Sequence, residues 1–285
     1  MNSNLFRFQE EIPLIYESVV DFWESIPRDW PKCKYDVQLV DDLDKFFKEY
    51  CEKNNNVINR ILDCGCGAGN PSIGLINKGY EIFCVDADPN MVERFRKNCI
   101  EAKVEIPVIA YDWRDLNGDV INNGPFDAAI CRGNSLIYAG CWDRESFIPN
   151  AAAKAIQNSL NHISSVLKPE GLFYVDITGR KEYADTKPKL EIVGMRETDQ
   201  HYVFIYWINE YYPEKRTRLV HARRIFESKI TKRIEKVTEY TFTGYMLYHD
   251  ELQQMANDAG LSLIKAYQEV PAEWLYDIFI FQKKK

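Results

Sequence analysis

The stretch that decides the fold is Ile61-Leu62-Asp63-Cys64-Gly65-Cys66-Gly67-Ala68-Gly69-Asn70. It begins as a short apolar run that reaches an acid, continues as a turn with a glycine at every second position, and passes into a helical pattern from Pro71. This order predicts a strand, a tight turn and a helix. Such a turn brings backbone N–H groups close to a ligand, so the stretch also predicts a binding site.

A second strand ending in an acid follows about twenty residues after the glycines, which is the distance expected for a ribose-binding carboxylate. The run Tyr80–Val85 is largely apolar, and Asp86 stands directly after it. A carboxylate at this strand end can accept hydrogen bonds from both hydroxyls of a ribose. The glycines and Asp86 together therefore predict a nucleoside site.

The glycine spacing separates two kinds of nucleoside ligand. In a dinucleotide fingerprint, G-x-G-x-x-G, the third glycine would occupy position 70, where it would let the helix N-terminus approach a pyrophosphate. This chain has Asn70 at that position and Gly69 one place earlier. The spacing therefore weakens a dehydrogenase interpretation and favours a ligand without a pyrophosphate.

Length and composition predict a globular protein. The chain has 285 residues, of which 46% are hydrophobic, so we expect one large globular domain or one domain with an insertion. It has no apolar run of eighteen residues and no secretory signal, which predicts a cytoplasmic protein without a membrane partner. A net charge of −7 argues against nucleic acid as a partner.

The eight cysteines do not suggest a disulfide framework or a metal site. Cys64 and Cys66 form a lone C-x-C pair without a second pair or a histidine cluster nearby, so we interpret them as small turn residues and predict no metal.

Strands and helices alternate from residue 60 onward, which predicts an α/β fold with a doubly wound parallel sheet. The predicted strands are 60–64, 81–85, 107–110, 126–131 and 172–177, and the helices between them are 71–78, 89–102 and 149–167. Residues 179–246 are β-rich without helical interludes, which indicates an antiparallel insertion after the fifth strand. A helix at 249–259 and strands at 261–267 and 275–282 then complete the core.

The predicted organisation has four parts. An aromatic-rich N-terminal segment, with helices near 12–20 and 37–51, is a candidate lid. The parts are this helical lid segment at 1–56, a Rossmann-like core at 57–178, the antiparallel insertion on the substrate side at 179–246, and the completion of the core at 247–285.

Five motifs in register resemble the class I S-adenosylmethionine (SAM) methyltransferases, and more narrowly their glycine N-methyltransferase-like branch. They are Asp63–Gly69, Asp86-Ala87, Asp112-Trp113, Cys131–Ser135 and Leu167–Gly171. The resemblance spans residues 56–178 and returns at 245–282. It implies a seven-stranded Rossmann-like methyltransferase sheet and SAM as the cofactor, with S-adenosylhomocysteine as the product.

The resemblance also assigns roles. The motif I glycines pass close to the methionyl part of SAM, the acid after the second strand holds the ribose, and the Asp-Trp pair meets the adenine. Met91, just beyond Asp86, is placed to cover the adenine. The predicted cofactor-binding residues are Asp63, Gly65, Gly67, Gly69, Asp86, Ala87, Met91, Asp112, Trp113 and Arg132.

The acceptor site is predicted partly from the same resemblance. In relatives that act on glycine, an arginine after the fifth strand clamps the substrate carboxylate; here Arg180 stands two residues away from that position. Tyrosine hydroxyls and an amide could hold the amine lone pair toward the methyl group. The predicted catalytic residues are Tyr16, Asn134 and Tyr245, and the predicted substrate-binding residues are Asn134, Arg180 and Tyr248.

The predicted reaction is methyl transfer from SAM to the amine of a small polar molecule, such as an amino acid, by in-line displacement. Positioning and a dry site are its main requirements, and a general base such as His249 is not essential. An amino sugar, or a carboxylate or hydroxyl oxygen, remains open as the acceptor, as does a SAM-binding module without catalysis. Similar enzymes often form homo-oligomers.

One basic run in the insertion has two interpretations. Its members most simply form a solvated sheet face, although part of the run could attract an anionic substrate. They are Arg216, Arg218, Arg223, Arg224, Lys229, Lys232 and Arg233.

Overall fold

The computed structural model describes residues 12–16, 22, 31–112, 120, 123–140, 147–183, 187–268 and 276–285. The strands are β1 Leu14–Tyr16, β2 Arg60–Cys64, β3 Glu81–Asp86, β4 Val108–Ala110, β5 Phe126–Cys131, β6 Leu167–Thr178, β7 Lys189–Glu197, β8 His201–Tyr212, β9 Thr217–Ser228, β10 Ile234–Tyr245, β11 Leu261–Gln268 and β12 Tyr276–Lys283. The helices are α1 Pro31–Asn54, α2 Ser72–Ile76, α3 Pro89–Ala102, α4 Pro149–Val166, α5 Arg180–Tyr183 and α6 His249–Asp258, with 3₁₀ turns at Ser135–Tyr138 and Pro213–Lys215.

Seven strands form the core sheet in the order β11-β12-β6-β5-β2-β3-β4. β2 to β6 pair in parallel, while β12 lies antiparallel between β6 and β11. This arrangement confirms the predicted Rossmann-like sheet of seven strands. Because the connections from β2 to β6 all return to the same end of the sheet, the carboxyl ends of these strands meet at one crevice edge.

Both faces of the core sheet are buried, as a parallel sheet requires. Alternate side chains enter two apolar clusters, so Leu62 packs toward α4 and α6 while Ile61 packs toward α1, α2 and α3. β5 is buried at every position, which explains its continuous apolar run.

Local signals fix the ends of the helices that position the site. The carboxylate of Asp88 caps α3 by accepting a hydrogen bond from Asn90 N at 2.8 Å, and Pro89 occupies the first helical position. α3 therefore begins directly beyond Asp86, as the sequence predicts.

The predicted antiparallel insertion is confirmed. β7 to β10 form a meander, and with β1 they make the insertion sheet, of order β1-β10-β9-β8-β7. One face of this sheet packs on the 3₁₀ turn after β5: Tyr138 meets Phe242 with ring centroids 5.4 Å apart. A Cβ atom at Gly244 would lie 2.8 Å from both Ile137 Cδ1 and Tyr138 Cε1, so the two sheets approach closely here. The insertion covers the crevice edge beside β5.

The N-terminal segment departs from its prediction where it is described. The expected helix near 12–20 is wrong over Leu14–Tyr16, which is a strand paired in parallel with Val237–Glu239 of β10. Hydrogen bonding to a neighbouring strand overrides the local apolar spacing, which is too short to choose between helix and strand. The second helix, α1, is longer than expected because it already begins at Pro31.

No helix within the described ranges is both long enough and apolar enough to cross a membrane.

Candidate cofactor and acceptor site

The glycine turn after β2 is held against the neighbouring strand by its own backbone. The N–H groups of Gly65 and Cys66 both donate to Val85 O, at 2.9 and 3.1 Å, and Gly67 N donates to Asp86 Oδ2 at 2.8 Å. Gly67 has a φ of +52°, and a Cβ atom there would meet no atom of the described residues within 4 Å. This side of the turn is therefore open to a ligand.

Gly69 serves a different purpose in the same turn. Its φ is +110°, and a Cβ atom would lie 2.8 Å from Ile73 Cδ1 and 3.0 Å from Phe95 Cδ2. The absent side chain lets α2 and α3 pack against the turn. Of the predicted glycines, Gly67 thus faces open space and Gly69 faces the protein.

Asp86 stands half-buried at the end of β3. Its two carboxylate oxygens are oriented by backbone donors, Oδ2 by Gly67 N and Oδ1 by Asp88 N at 2.9 Å. Burial raises the pKa of this carboxyl, and the two backbone hydrogen bonds oppose that rise. Each oxygen keeps a lone pair for a further donor such as a sugar hydroxyl.

The other predicted adenosine contacts lie around Asp86. Ala87 is exposed beside it, and Met91 is half-buried in the first turn of α3. Tyr111 N donates to Asp86 O at 2.8 Å, which brings the half-buried Asp112 to the same strand end. Trp113 lies outside the described residues.

Asp63 lies beneath the turn rather than on its surface. It is 1% exposed, and Ser72 Oγ donates to its Oδ2 at 2.6 Å, which ties β2 to α2. Burial raises the pKa of Asp63 to about 7; the hydrogen bond from Ser72 opposes this rise, the charge of Asp86 adds to it, and the charge of Arg132 opposes it. The structure thus gives Asp63 a supporting position, with Arg132 near it at the end of β5.

Asn134 joins the ends of β5 and β6. Its backbone is left-handed, with a φ of 62°, and its side chain is fully buried. The amide donates to Thr178 Oγ1 at 2.9 Å and accepts from Thr178 N at 2.8 Å, while Asp176 accepts from Gly133 N and Asn134 N. Both polar atoms of this predicted catalytic side chain already have protein partners, which suits a positioning role.

Tyr245 ends β10, whereas Tyr16 of β1 pairs with a position in the middle of that strand. Tyr245 OH donates to Glu251 Oε1 at 2.9 Å, and the guanidinium of Arg216 lies 4.8 Å from the Tyr245 ring centroid. Tyr16 is 74% exposed and lies opposite Glu239. That position precedes Tyr245 on β10 by roughly 20 Å of strand, so the structure separates Tyr16 from the crevice edge.

Arg180 and Tyr248 instead line a cavity of about 330 Å³ together with Tyr183, His249 and Asp250. The Arg180 side chain is mostly exposed, and its Nη2 lies 3.5 Å from an exposed carboxylate oxygen of Asp250. Arg180 is therefore a rim residue of this cavity.

Sequence reasoning missed a buried polar group on the insertion. Arg218 of β9 is 3% exposed and lies against Asn209 and Tyr138. The sequence signal for its burial is the two-residue period of a strand. Arg218 falls on the same face of β9 as Val220 and Ala222, which belong to one apolar cluster. The prediction of a solvated face is wrong for Arg218 and also for Arg223, which is buried and paired with Glu239.

Comparison with known proteins shows similarity to methyltransferases. Residues 61–171 match the family model described as a methyltransferase domain, which is less than half of the chain. Glycine N-methyltransferase of Mus musculus is 29% identical over 124 residues, or 41% of this chain and 39% of that protein. Glycine/sarcosine N-methyltransferase of Halorhodospira halochloris is 27% identical over 160 residues, or 56% of this chain and 52% of that protein. The chain thus spans only part of these relatives.

Solved structures agree in fold. SAM-bound CalS10, an amino pentose methyltransferase from Micromonospora echinaspora, superposes with a TM-score of 0.66 at 14% identity, covering 95% of this chain and 99% of that one. A SAM-dependent methyltransferase from Clostridium acetobutylicum gives 0.64 at 16% identity, covering 85% and 91%.

These findings agree with the class predicted from the motifs: residues 61–171 match a methyltransferase domain, and the chain is similar in sequence and fold to SAM-dependent methyltransferases. Its similarity to glycine and sarcosine N-methyltransferases also confirms the resemblance to that branch.

Proposed function

We propose that this chain binds SAM and transfers its methyl group to the amine of a small polar molecule, such as an amino acid. The observation that carries the proposal is the pairing of the open glycine turn with the oriented carboxylate of Asp86. The turn offers unobstructed backbone at Gly67, and Asp86 offers acceptor capacity for ribose hydroxyls. These residues fit SAM, which carries an adenosine and an amino-acid tail but no phosphate.

The residues of the chain would act mainly by positioning. Bound SAM supplies an electrophilic methyl group. Asp86 would hold the ribose, Asp112 would lie near the adenine, and the Asn134–Thr178 link would keep the two neighbouring strand ends in register. The close approach of the insertion at Gly244 covers this edge and helps to exclude water, which an in-line displacement by a neutral amine requires.

The amine acceptor is supported by the relatives, whose names are those of glycine and sarcosine N-methyltransferases. The similar fold of the amino pentose methyltransferase bears on the scaffold alone, because that structure is only 14% identical to this chain.

Calorimetric titration of SAM tests the cofactor site. Loss of charge-assisted hydrogen bonds costs about 1.5–3 kcal/mol, so Asp86→Ala should weaken SAM binding by about 10- to 150-fold. Asp127→Ala is the matched control, because Asp127 also accepts backbone N–H groups, those of Asn59 and Arg60, but at the opposite end of the sheet. Equal SAM affinity in wild type and Asp86→Ala would remove Asp86 from the site.

A panel of amines, amino sugars and carboxylic acids, followed by mass spectrometry, tests the transfer itself. Methylated amino acids together with S-adenosylhomocysteine are the expected products. SAM binding without any S-adenosylhomocysteine formation would contradict an enzyme and favour a binding module.

A further inference from the structure

Arg218 carries a positive charge into the interior, where its hydrogen-bond partners among the described residues are neutral. Its Nε and Nη2 donate to Asn209 Oδ1 at 3.2 and 2.7 Å, and its Nη1 donates to Tyr138 OH at 2.8 Å. A buried cation without a counter-ion is costly, because neutral groups replace only part of its hydration.

No carboxylate of the described residues forms an ion pair with this guanidinium. Two acids of the same region are engaged elsewhere: Glu182 lies 3.0 Å from Lys189 Nζ, and Glu191 accepts a hydrogen bond from the Trp207 indole. Arg223 provides a contrast on the same strand, since it is also buried but donates to Glu239. Arg218 is thus the buried arginine of β9 whose charge the described protein leaves uncompensated.

The tyrosines around Arg218 do not supply negative charge at neutral pH. Burial raises the pKa of Tyr211 to about 12, although the charge of Arg218 acts in the opposite direction. Burial likewise raises the pKa values of Tyr183 and Tyr276. All three phenols therefore remain protonated.

Hydrogen-bond donors are in excess around the guanidinium. Arg218 makes three hydrogen bonds to described residues, so two of its five N–H groups have no acceptor among them. Within the described part of the chain, Asn209 Nδ2 is buried without a hydrogen-bond partner, and the buried Tyr183 hydroxyl lies near Thr178 without a well-formed hydrogen bond. Buried donors usually find acceptors, so this arrangement suits a ligand that brings several acceptor atoms and a negative charge.

The topology places the tyrosines around Arg218 at the crevice edge. Tyr138 follows β5, Tyr183 follows β6, and Tyr276 begins β12 opposite Thr178. All three positions lie at the end of the core sheet that also carries the glycine turn of β2. Arg218 reaches this edge from the insertion.

We propose that Arg218 and Asn209 bind the carboxylate of the methyl acceptor. This inference rests on the proposed methyltransferase function and names the residues that would select the acceptor. The guanidinium can pair with two carboxylate oxygens at once, and Asn209 Nδ2 can donate to one of them. An ion pair between the substrate carboxylate and the exposed Arg180 would be weakened by solvent, whereas the same ion pair with the buried Arg218 would be shielded from water.

The test is acceptor binding to protein saturated with S-adenosylhomocysteine, measured by calorimetry without turnover. The probes are glycine, sarcosine and larger α-amino acids, each beside its carboxamide. Wild type should prefer the acids, and Arg218→Lys should lose about tenfold or more of that preference, because lysine cannot reproduce the fork. Arg224→Lys is the control, since Arg224 lies on the same face of β9 but bonds Thr238 Oγ1; it should retain the preference.

Asn209→Asp gives a second variant in case Arg218→Lys does not fold. It places an internal carboxylate beside the guanidinium, which should compete with the ligand and lower acid binding by about tenfold or more. Equal binding of acids and carboxamides by wild type, no binding of any acid, or undiminished acid preference in a folded variant would overturn the inference. SAM titration of the same proteins separates this result from the proposed function, which fails only if wild type does not bind SAM or transfers no methyl group.

Discussion

Asp63 is a buried acid whose ionisation should make the stability of the protein depend on pH. Its pKa is raised by burial from 3.8 to about 7 in the folded protein. The folded state therefore retains a proton that the unfolded state releases, and stability falls as the pH rises from about 4 to about 7. At about 1.36 kcal/mol per pKa unit, the full penalty approaches about 4 kcal/mol above pH 7.

Asp63→Asn removes this ionisation and keeps an oxygen that can accept the hydrogen bond of Ser72 Oγ. We expect its free energy of unfolding, relative to wild type, to increase by about 2.5 kcal/mol between pH 5 and pH 8. Urea denaturation at several pH values, followed by circular dichroism, measures this difference directly.

Asp127→Asn is the control of opposite sign. Burial of Asp127 favours a high pKa, but hydrogen bonds from Lys168 and from the N–H groups of Arg60 and Asn59 outweigh it and lower the pKa. The stability from this carboxylate is present above its unfolded pKa and is lost as the pH falls toward its folded pKa. Asp127→Asn should therefore destabilise most at neutral pH. A pH-independent difference between Asp63→Asn and wild type would refute the reasoning.

Two further predictions concern the close contacts of glycines. Gly67→Ala should lower stability by only about 1–2 kcal/mol, because the residue has a left-handed backbone, and should weaken SAM binding, because the new methyl group enters the open side of the turn. Thermal unfolding and calorimetry measure the two effects. Unchanged SAM affinity would contradict a cofactor site at this glycine turn. Gly244→Ala should destabilise by about 1–3 kcal/mol through contact with Ile137 and Tyr138, and urea denaturation showing no loss would mean that the insertion does not press on the 3₁₀ turn.

The sequence predicts the core sheet well because its signals are local. Each core strand is a short apolar run followed by a turn or a helical pattern, and the predicted helix at 89–102 has the bounds of α3. Asp88 and Pro89 mark its start by side-chain capping and by a fixed φ. Such features depend on a few neighbouring residues, which a single sequence contains.

Roles within the site are less predictable because burial is decided by tertiary packing. Asp63 and Asp86 both end apolar strands, but the first lies beneath the turn bonded to Ser72 and the second lies at its mouth. Arg218 and Arg223 lie on opposite faces of β9, and both faces are covered. The two-residue period of the strand therefore cannot show that Arg223 pairs with Glu239 while Arg218 has no acidic partner among the described residues. The position of Tyr16 is unpredictable for a similar reason, because the three-residue strand β1 depends on its pairing with β10.

The order of the strands distributes charge along the crevice in a way that suits the proposed chemistry. β3 and β4 lie on one side of the glycine turn and carry Asp86 and Asp112, while β5 and β6 lie on the other side, beneath Arg218. A nearby cation lowers the pKa of an ammonium group, and methyl transfer requires the amine to be neutral. If the acceptor carboxylate pairs with Arg218, the guanidinium also offsets the negative charge that would otherwise keep the amine protonated. The same residue would then select the acceptor and favour its reactive form.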